Sequence, residues 1–359
     1  MLSLELLAKQ LVEREGSDLH IAAGSPPMMR IDGRLIPAGE EKLSAEATRK
    51  LVYGILNSEQ VERFEEELEL DMSLGIEGRG RGRTNVVMQR EAGGAVLRVI
   101  PQETIPFAQL GLPSQAGERI CNLRKGLVLV TGATGSGKST TLSSMVDHIN
   151  ASRTEHIMTI EDPIEFIHQN KGCLVNQREV GSDTHGFQNA LRTALRQDPD
   201  VIMVGEIRDQ ETISAALTIA ETGHLTFATL HTNSVVQTVN RIVDVFPAHQ
   251  QAQVRTQLSF TLEAIFCQPL VPRDGERGRV LAAEVLMATP AARALVREDK
   301  VHQLESVVQT GGRLGMRTMN QSLLEHCNDG QISFKNALRY SPTPDDIERM
   351  YKKSGGVCV

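Results

Sequence analysis

Four residues at fixed spacing form a candidate phosphate-binding loop before the middle of the chain. Gly132, Gly137, Lys138 and Ser139 fill the pattern GxxxxGK[ST]. In such a loop the backbone N–H groups surround a polyphosphate, the lysine reaches the outer phosphates and the hydroxyl group binds Mg²⁺. The predicted nucleotide-binding residues are Gly132, Ala133, Thr134, Gly135, Ser136, Gly137, Lys138, Ser139 and Thr140.

The segments on either side of this loop have the periodicity that a phosphate-binding loop requires. Residues 127–130 form a short apolar run typical of a buried strand. After the loop, Leu142, Met145, Val146 and Ile149 recur at helical spacing. A strand, a glycine-rich loop and a helix therefore follow one another, and the positive end of the helix dipole points at the same anion site.

Three later apolar runs each end in a polar residue. Residues 157–160 are followed by Glu161, residues 201–204 by Gly205 and Glu206, and residues 225–230 by His231. Ligands bind at the carboxyl ends of the strands in a parallel sheet. We therefore expect Glu161, Glu206 and His231 to lie in the active site, although an acidic residue that caps a helix gives the same pattern.

These residue types suit the transfer of a phosphoryl group from ATP to water. The reaction needs Mg²⁺ on the outer phosphates and a group that orients or deprotonates water. Ser139 is the natural Mg²⁺ ligand, and Gly205 stands where an aspartate commonly holds the metal. Glu206 is then the candidate base, Glu161 a candidate for the water shell of the metal, and His231 a candidate sensor of the γ-phosphate.

Further cations near the loop are not fixed by the sequence. Arg192, Arg196 and Arg208 lie close to Glu206 along the chain. Surface salt bridges, worth about 1 kcal/mol or less, are an equally good interpretation of these arginines. Arginines from a neighbouring subunit would supply the missing charge in a ring.

Composition argues against some classes of partner. The net charge is −7, and 3% of the 359 residues are aromatic with no tryptophan, so neither a basic stripe nor stacking platforms for nucleic acid are expected. The five cysteines are widely spaced and suit reduced thiols in the cytosol. Glu5, Glu13 and Glu15 interrupt the first segment, and no run of about 20 apolar residues occurs, so any membrane role is expected to be peripheral.

Composition and periodicity change along the chain. The first hundred residues are predicted to form a small α/β domain with an antiparallel sheet. Pro101, Pro106 and Pro113 mark a linker, and strands alternating with helices then predict a parallel sheet. Beyond Asn233 the pattern predicts mostly helix, including residues 235–246, 249–266 and 289–310.

Four segments resemble the signature motifs of the type II/IV secretion ATPase superfamily. GATGSGKSTT, MTIEDPIEF, DPDVIMVGEIRD and AETGHLTFATLHT are similar to its Walker A, Asp box, Walker B and His box. The likeness runs over nearly the whole chain, from SDLHIAAGSPPMMRIDGRL to TGGRLGMRTMNQSL. Within the superfamily the chain resembles the PilT-type retraction ATPases of type IV pili, the motors of twitching motility.

That resemblance implies a fold and an assembly. The expected fold is a PAS-like N-terminal α/β domain (residues 1–100), a linker (101–113) and a RecA-like P-loop ATPase domain with a helical C-terminal part (114–359). The expected assembly is a homohexamer at the cytoplasmic base of a pilus machine, peripheral to the inner membrane and acting on a platform protein. Arg83 and Arg98 would reach the nucleotide of a neighbouring subunit, and Arg81 is a weaker candidate.

A segment linked to retraction in this family is partly retained. The family pattern AIRNLIRE reads AARALVRE here, with differences at Ala292, Ala294 and Val296. Extension motors and type II secretion ATPases usually carry a four-cysteine zinc module, which this sequence lacks. The sequence therefore favours the retraction branch.

Two other classes of function remain as alternatives. A RecA-like nucleic-acid translocase would be stimulated by DNA or RNA with a steep salt dependence, which the acidic balance disfavours. A non-enzymatic ring would bind nucleotide without turnover, which the full set of candidate catalytic residues disfavours.

Overall fold

A computed structural model describes residues 3–31, 34–76, 80–90, 92–100, 104–275 and 278–353. The chain divides into two compact units. Met1–Glu103 with Glu165–Ile167 form the first, and Thr104–Ile164 with His168–Val359 form the second. Residues 101–103 of the predicted linker lie outside the described residues.

The first unit is an antiparallel sheet covered by helices. The strands lie in the order β3-β2-β1-β6-β5-β4, and the buried residues of the helices pack with those of the sheet in one core. In chain order the elements are α1 (Leu4–Glu13), β1 (Asp18–Ile21), β2 (Met28–Ile31), β3 (Arg34–Pro37), α2 (Ala45–Tyr53), α3 (Ser58–Glu67), β4 (Glu69–Ile76), β5 (Gly80–Gln89) and β6 (Ala92–Val99).

Local signals in the sequence fix the ends of these helices. The hydroxyl groups of Ser3 and Ser44 accept the backbone N–H groups of Leu6 and Ala47, which caps α1 and α2. Asn57 begins α3 with a capping box. Helix α2 therefore ends at Tyr53 and α3 begins at Ser58, and residues 54–57 turn between them.

The second unit is a seven-stranded sheet with helices around it. Its elements are α4 (Ser114–Cys121), β7 (Gly126–Thr131), α5 (Lys138–Ser152), β8 (His156–Glu161), β9 (Leu174–Glu179), α6 (Phe187–Ala194), β10 (Val201–Val204), α7 (Gln210–Glu221), β11 (Leu225–Leu230), α8 (Val235–Asp244), α9 (Ala248–Thr261), β12 (Leu262–Cys267), β13 (Leu270–Pro272), β14 (Arg279–Leu281), β15 (Glu284–Met287), α10 (Pro290–Arg297), α11 (Leu304–Thr310), α12 (Met319–Asn328), α13 (Phe334–Tyr340) and α14 (Pro344–Lys353).

The strand order of this sheet places the candidate catalytic segments side by side. The order is β15-β12-β7-β11-β10-β8-β9, and the pairs from β12 to β9 are parallel while β15 is antiparallel to β12. Strands β7, β10 and β11 are buried along their whole length, which explains their continuous apolar runs. Their carboxyl ends therefore lie along one edge of the sheet.

The prediction of a helix over 249–266 is wrong in its last five residues. Helix α9 ends at Thr261, and β12 pairs in parallel with β7, with Ile265 opposite Leu129 and Phe266 opposite Val130. A short apolar run does not distinguish a buried strand from a helix by its periodicity. Pairing with β7 decides that this segment is a strand, and β7 lies more than 130 residues away in sequence. The helices α13 and α14 were also not predicted.

The described part of the predicted linker is packed against the second unit. A 3₁₀ helix at Phe107–Gln109 places the Phe107 ring on the face of α4 at Gly117, where an added Cβ atom would lie 1.7 Å from Cζ. The Ser144 hydroxyl group donates a hydrogen bond to the Ile105 carbonyl oxygen at 2.5 Å. Residues 105–107 are therefore held by α4 and α5 instead of forming a free connection.

Two further expectations concern the membrane and the thiols. In the part of the chain that the structure describes, no helix combines the length and the apolarity needed to cross a bilayer. Cys121, Cys173, Cys267 and Cys327 are free thiols, and Cys358 lies outside the described residues.

The contact at Gly117 gives a prediction with an unusual sign. Glycine to alanine in a helix normally stabilises by roughly 0.5–1 kcal/mol. Gly117→Ala should instead lower the free energy of unfolding by about 1–3 kcal/mol, because the methyl group displaces the Phe107 ring. Denaturant unfolding measures the difference. Gly312→Ala is the control, because an added Cβ atom meets no atom within 4 Å there; a Gly117→Ala chain more stable than wild type contradicts the prediction.

Candidate active site

The loop between β7 and α5 has the backbone conformation of a phosphate cradle. Gly132, Gly135 and Gly137 have φ angles of 148°, 77° and 88°, a region that favours glycine. Ala133, Thr134 and Gly135 are exposed, whereas Ser136 is buried beneath the loop. No side chain caps the N-terminus of α5, so its first N–H groups are available to an anion. These features fit a nucleotide polyphosphate.

Lys138 lies across this loop. Its ammonium group donates hydrogen bonds to the carbonyl oxygens of Gly132 at 2.8 Å and Ala133 at 3.1 Å. Burial lowers the pKa of Lys138, and the negative charge of Glu206 partly opposes that shift. The lysine is thus folded onto the loop that it would share with phosphates. Ser139 and Thr140 follow it in the first turn of α5, with the Ser139 side chain exposed where a Mg²⁺ ion could be reached.

Glu206 lies just beyond the end of β10, as the sequence predicted. Its Oε1 atom is 3.1 Å from Nε2 of His231 and 2.5 Å from Nε of Arg208, and its Oε2 atom accepts from Nη2 of Arg208 at 2.7 Å. Burial alone would raise the pKa of Glu206, but hydrogen bonds from Arg208 and His231, with their charges, lower it overall. The carboxylate is therefore held ionised.

A glycine stands at position 205 because two strands lie close together there. Its N–H group donates to the Ile160 carbonyl oxygen at 2.8 Å. A Cβ atom at Gly205 would lie 3.3 Å from Cα of Glu161, tighter than an ordinary contact. The backbone of β10 thus approaches β8 so closely that an aspartate at this position would be crowded, and the carboxylate falls one residue later.

Glu161 lies at the end of β8 and is 6% exposed. Its Oε1 atom accepts hydrogen bonds from Thr159 Oγ1 at 2.6 Å and Gln177 Nε2 at 3.3 Å. The Gln177 side chain in turn accepts the backbone N–H group of His168 at 2.8 Å. Glu161 is therefore oriented by neighbouring side chains, which the sequence motifs did not indicate.

The structure brings together most of the predicted residues. Glu161 ends β8, and the loop, Glu206 and His231 follow β7, β10 and β11, all at the same edge of one sheet. Arg208 joins them through Glu206, although its side chain is 74% exposed and so contributes little as an ion pair. Arg192 and Arg196 are exposed.

Arg83 and Arg98 belong to the first unit. They are cross-strand neighbours on β5 and β6. Nε of Arg98 donates to Oδ1 of Asp18 at 2.8 Å, and Arg30 lies on the other side of that carboxylate at 3.6 Å. Asp18 therefore orients an arginine. Among the described residues no group of three or more histidine, cysteine, aspartate or glutamate side chains could hold a metal ion.

Sequence reasoning missed two contacts of the loop. Gln268, which follows β12, is hydrogen-bonded to the Ser136 carbonyl oxygen, and Arg279 on β14 donates to the Gly135 carbonyl oxygen at 3.3 Å. The missed strand β12 was the reason for Gln268, because a predicted helix that ends at residue 266 does not direct the chain that follows it to the loop. Only the pairing of β12 with β7 places it there.

Comparisons with known proteins agree with this geometry. A family model for "Type II/IV secretion system protein" matches residues 5–339. The chain is 49% identical to "Type IV pilus retractation ATPase PilT" of Pseudomonas aeruginosa, over 96% of this chain and 99% of that protein. It is 42% identical to "Type IV pilus ATPase PilU" of the same organism, over 98% and 92%. A crystal structure of "the Pilus Retraction Motor PilT and Bound ADP" superposes with a TM-score of 0.91 at 48% identity, covering 98% of this chain and all of that one.

Lys138 gives a direct test of the nucleotide site. Lys138→Ala should weaken the binding of a fluorescent ADP analogue by roughly 10-fold to 100-fold, because charge-assisted hydrogen bonds to phosphate are lost. Equilibrium titration gives the affinity. Lys125→Ala is the matched control, since Lys125 is exposed before β7 and the change in charge is the same. Equal affinities of the two variants would show that Lys138 does not contact phosphate.

Proposed function

The chain belongs to the type II/IV secretion system protein family and is an ATPase of the pilus retraction type, and we propose that it works as a homohexameric motor in which Glu206 activates water. The observation that carries this proposal is the placement of Lys138 and Glu206. Both lie at the carboxyl edge of one parallel sheet, near enough for the charge of Glu206 to influence the pKa of Lys138. A phosphate and the water that attacks it need groups in such an arrangement.

Each part of the site has a proposed role in hydrolysis. The loop amides and Lys138 would bind the β- and γ-phosphates, and Ser139, with Glu161 nearby at the same edge of the sheet, would hold Mg²⁺. When bound, the metal would neutralise negative charge on the phosphates. Glu206 takes the proton of the attacking water, and His231, hydrogen-bonded to Glu206, contacts the γ-phosphate.

The present contacts of Glu206 leave it able to accept a proton. Its Oε1 atom accepts from Arg208 and His231, whereas its Oε2 atom accepts from Arg208. A carboxylate oxygen has two lone pairs, so Oε2 can still accept the proton of water. Because Arg208 is largely exposed, solvent can also replace its hydrogen bonds at small cost.

Assembly would complete the charge around the phosphates. We assign Arg83 and Arg98 to the nucleotide of a neighbouring subunit, where they would stabilise negative charge in the transition state. The hydrogen bond from Arg98 to Asp18 keeps that guanidinium group in place on the sheet surface. The proposed ring lies at the cytoplasmic side of the inner membrane and acts on the platform protein of the pilus machine.

The segment AARALVRE supports the retraction branch. It forms α10, with Glu298 as its C-terminal cap residue. Arg293 donates to the carbonyl oxygens of Ala288, Ser259 and Phe260 and to Glu263, so this matching residue fixes α10 on α9. Ala292 and Val296, two of the three departures, are buried. The differences from the family pattern thus concern mainly packing, and the exposed Arg297 and Glu298 are retained.

Glu206→Gln tests the catalytic role. It should reduce the rate of ATP hydrolysis by about 100-fold or more while nucleotide still binds, because an amide cannot accept the proton. Glu211→Gln, an exposed glutamate on α7, controls for the change in charge. Hydrolysis by Glu206→Gln at the wild-type rate would remove Glu206 from the mechanism.

The same variant tests the biological role. In a pilus-bearing host whose own retraction ATPase is deleted, wild type should restore twitching and Glu206→Gln should leave hyperpiliated, non-motile cells. Failure of the wild-type chain to restore motility argues against the motor. Stimulation of hydrolysis by DNA or RNA, lost steeply with salt, would favour a translocase instead.

Arg208 predicts a shift in the pH dependence of hydrolysis. Its hydrogen bond and charge lower the pKa of Glu206, so the carboxylate stays ionised to lower pH than usual. Arg208→Ala raises that pKa, and the acid limb of kcat/KM, which reports the free enzyme, should move to higher pH. Arg192→Ala removes an exposed arginine from α6 and serves as the control. An unmoved acid limb in Arg208→Ala would show that Glu206 does not set it.

A further inference from the structure

Gln268 is a buried amide placed against the phosphate-binding loop. It follows β12 directly and is 2% exposed. A buried amide costs free energy unless its polar atoms are hydrogen-bonded. Its partners therefore indicate why an amide stands here.

The two ends of the Gln268 side chain join two parts of the nucleotide site. Nε2 donates to the Ser136 carbonyl oxygen at 2.9 Å. Oε1 accepts from the Thr141 hydroxyl group in the first turn of α5 at 3.0 Å. Both hydrogen bonds are buried, so water does not compete for them. One amide thus links the end of the loop to the helix that follows it.

The backbone of Gln268 holds the beginning of the same loop. Its N–H group donates to the Thr131 carbonyl oxygen at 2.9 Å. A Cβ atom at Gly132 would lie 2.3 Å from the Gln268 carbonyl oxygen, so the chains touch there. The loop is therefore fixed at its start by the backbone of Gln268 and at its end by the side chain.

The hydrogen bond to Ser136 sets the direction of a loop amide. In a trans peptide the C=O and N–H groups point in opposite directions. With the Ser136 carbonyl group directed at Gln268, the N–H group of Gly137 points away from Gln268. Gly137, which flanks this peptide, makes it easy to rotate, so an external hydrogen bond is needed to hold it.

We propose that Gln268 is a positioning residue for the nucleotide phosphates, acting through the loop without touching them itself. The inference rests on the proposed ATPase site. Position 268 has a specific requirement, because its side chain must place a donor toward Ser136 and an acceptor toward Thr141. Glutamine supplies both. A protonated glutamate does so too, whereas an ionised glutamate lacks the donor and a leucine lacks both groups.

The test compares Gln268→Leu and Gln268→Glu in the full-length chain. Affinity for a fluorescent ADP analogue is measured from about pH 5.5 to pH 9, a range chosen because burial raises the pKa of a carboxyl group. Each value is divided by that of wild type at the same pH, so titration of the nucleotide cancels. Gln268→Leu should bind about 10-fold more weakly or worse at every pH, because a buried carbonyl group loses its donor. Gln268→Glu should approach wild type at low pH and weaken wherever it ionises.

Two results would overturn the proposal. One is wild-type affinity for Gln268→Leu. The other is a Gln268→Glu chain that binds as weakly as Gln268→Leu at the lowest pH, because shape alone would then matter. Circular dichroism checks folding, and Gln268→Met replaces Gln268→Leu if the latter does not fold. Lys138→Ala is measured alongside: if it loses binding while both Gln268 variants match wild type, this inference fails and the nucleotide site stands.

Discussion

The hydrogen-bonded register of β7, β11, β10 and β8 is the constraint on which the rest of the structure depends. Parallel pairing aligns Thr131 with Leu230, and Val204 with both Ala228 and Ile160, so that the strands end together. The first polar groups after those ends therefore lie together at one edge of the sheet. A slip of one residue in any strand would turn its side chains to the other face and separate the lysine from the carboxylates.

At that edge the positive lysine and the negative carboxylate each bind other groups, so they do not neutralise each other. Lys138 is partly buried and makes hydrogen bonds to carbonyl oxygens, whereas the carboxylate of Glu206 is taken up by Arg208 and His231. The lysine therefore has no carboxylate partner among the hydrogen bonds described for it, which leaves it available to phosphate. An arrangement with Glu206 bound directly to Lys138 would have to break an ion pair each time nucleotide enters.

Much of this site could be predicted from short patterns because its parts are local. The loop from Gly132 to Thr140 needs glycines for its backbone angles and a lysine at the start of a helix, and the sequence displays both. Glu161, Glu206 and His231 could be predicted because a polar residue after a buried run marks a strand end. The antiparallel sheet of the first unit followed from its turns and alternating strands. The supports could not be predicted: Gln177, Gln268 and Arg279 lie outside the four signature motifs and contact the site from β9, from the end of β12 and from β14.

The sequence by itself determined which groups are present, the loop conformation and the parallel character of the second sheet, because these depend on neighbours along the chain. Only the tertiary structure decided that residues 262–267 form a strand, that Glu206 is held by Arg208 and that Gln268 braces the loop. Those outcomes depend on which strands pair, and pairing is settled by the burial of whole faces over separations of more than a hundred residues.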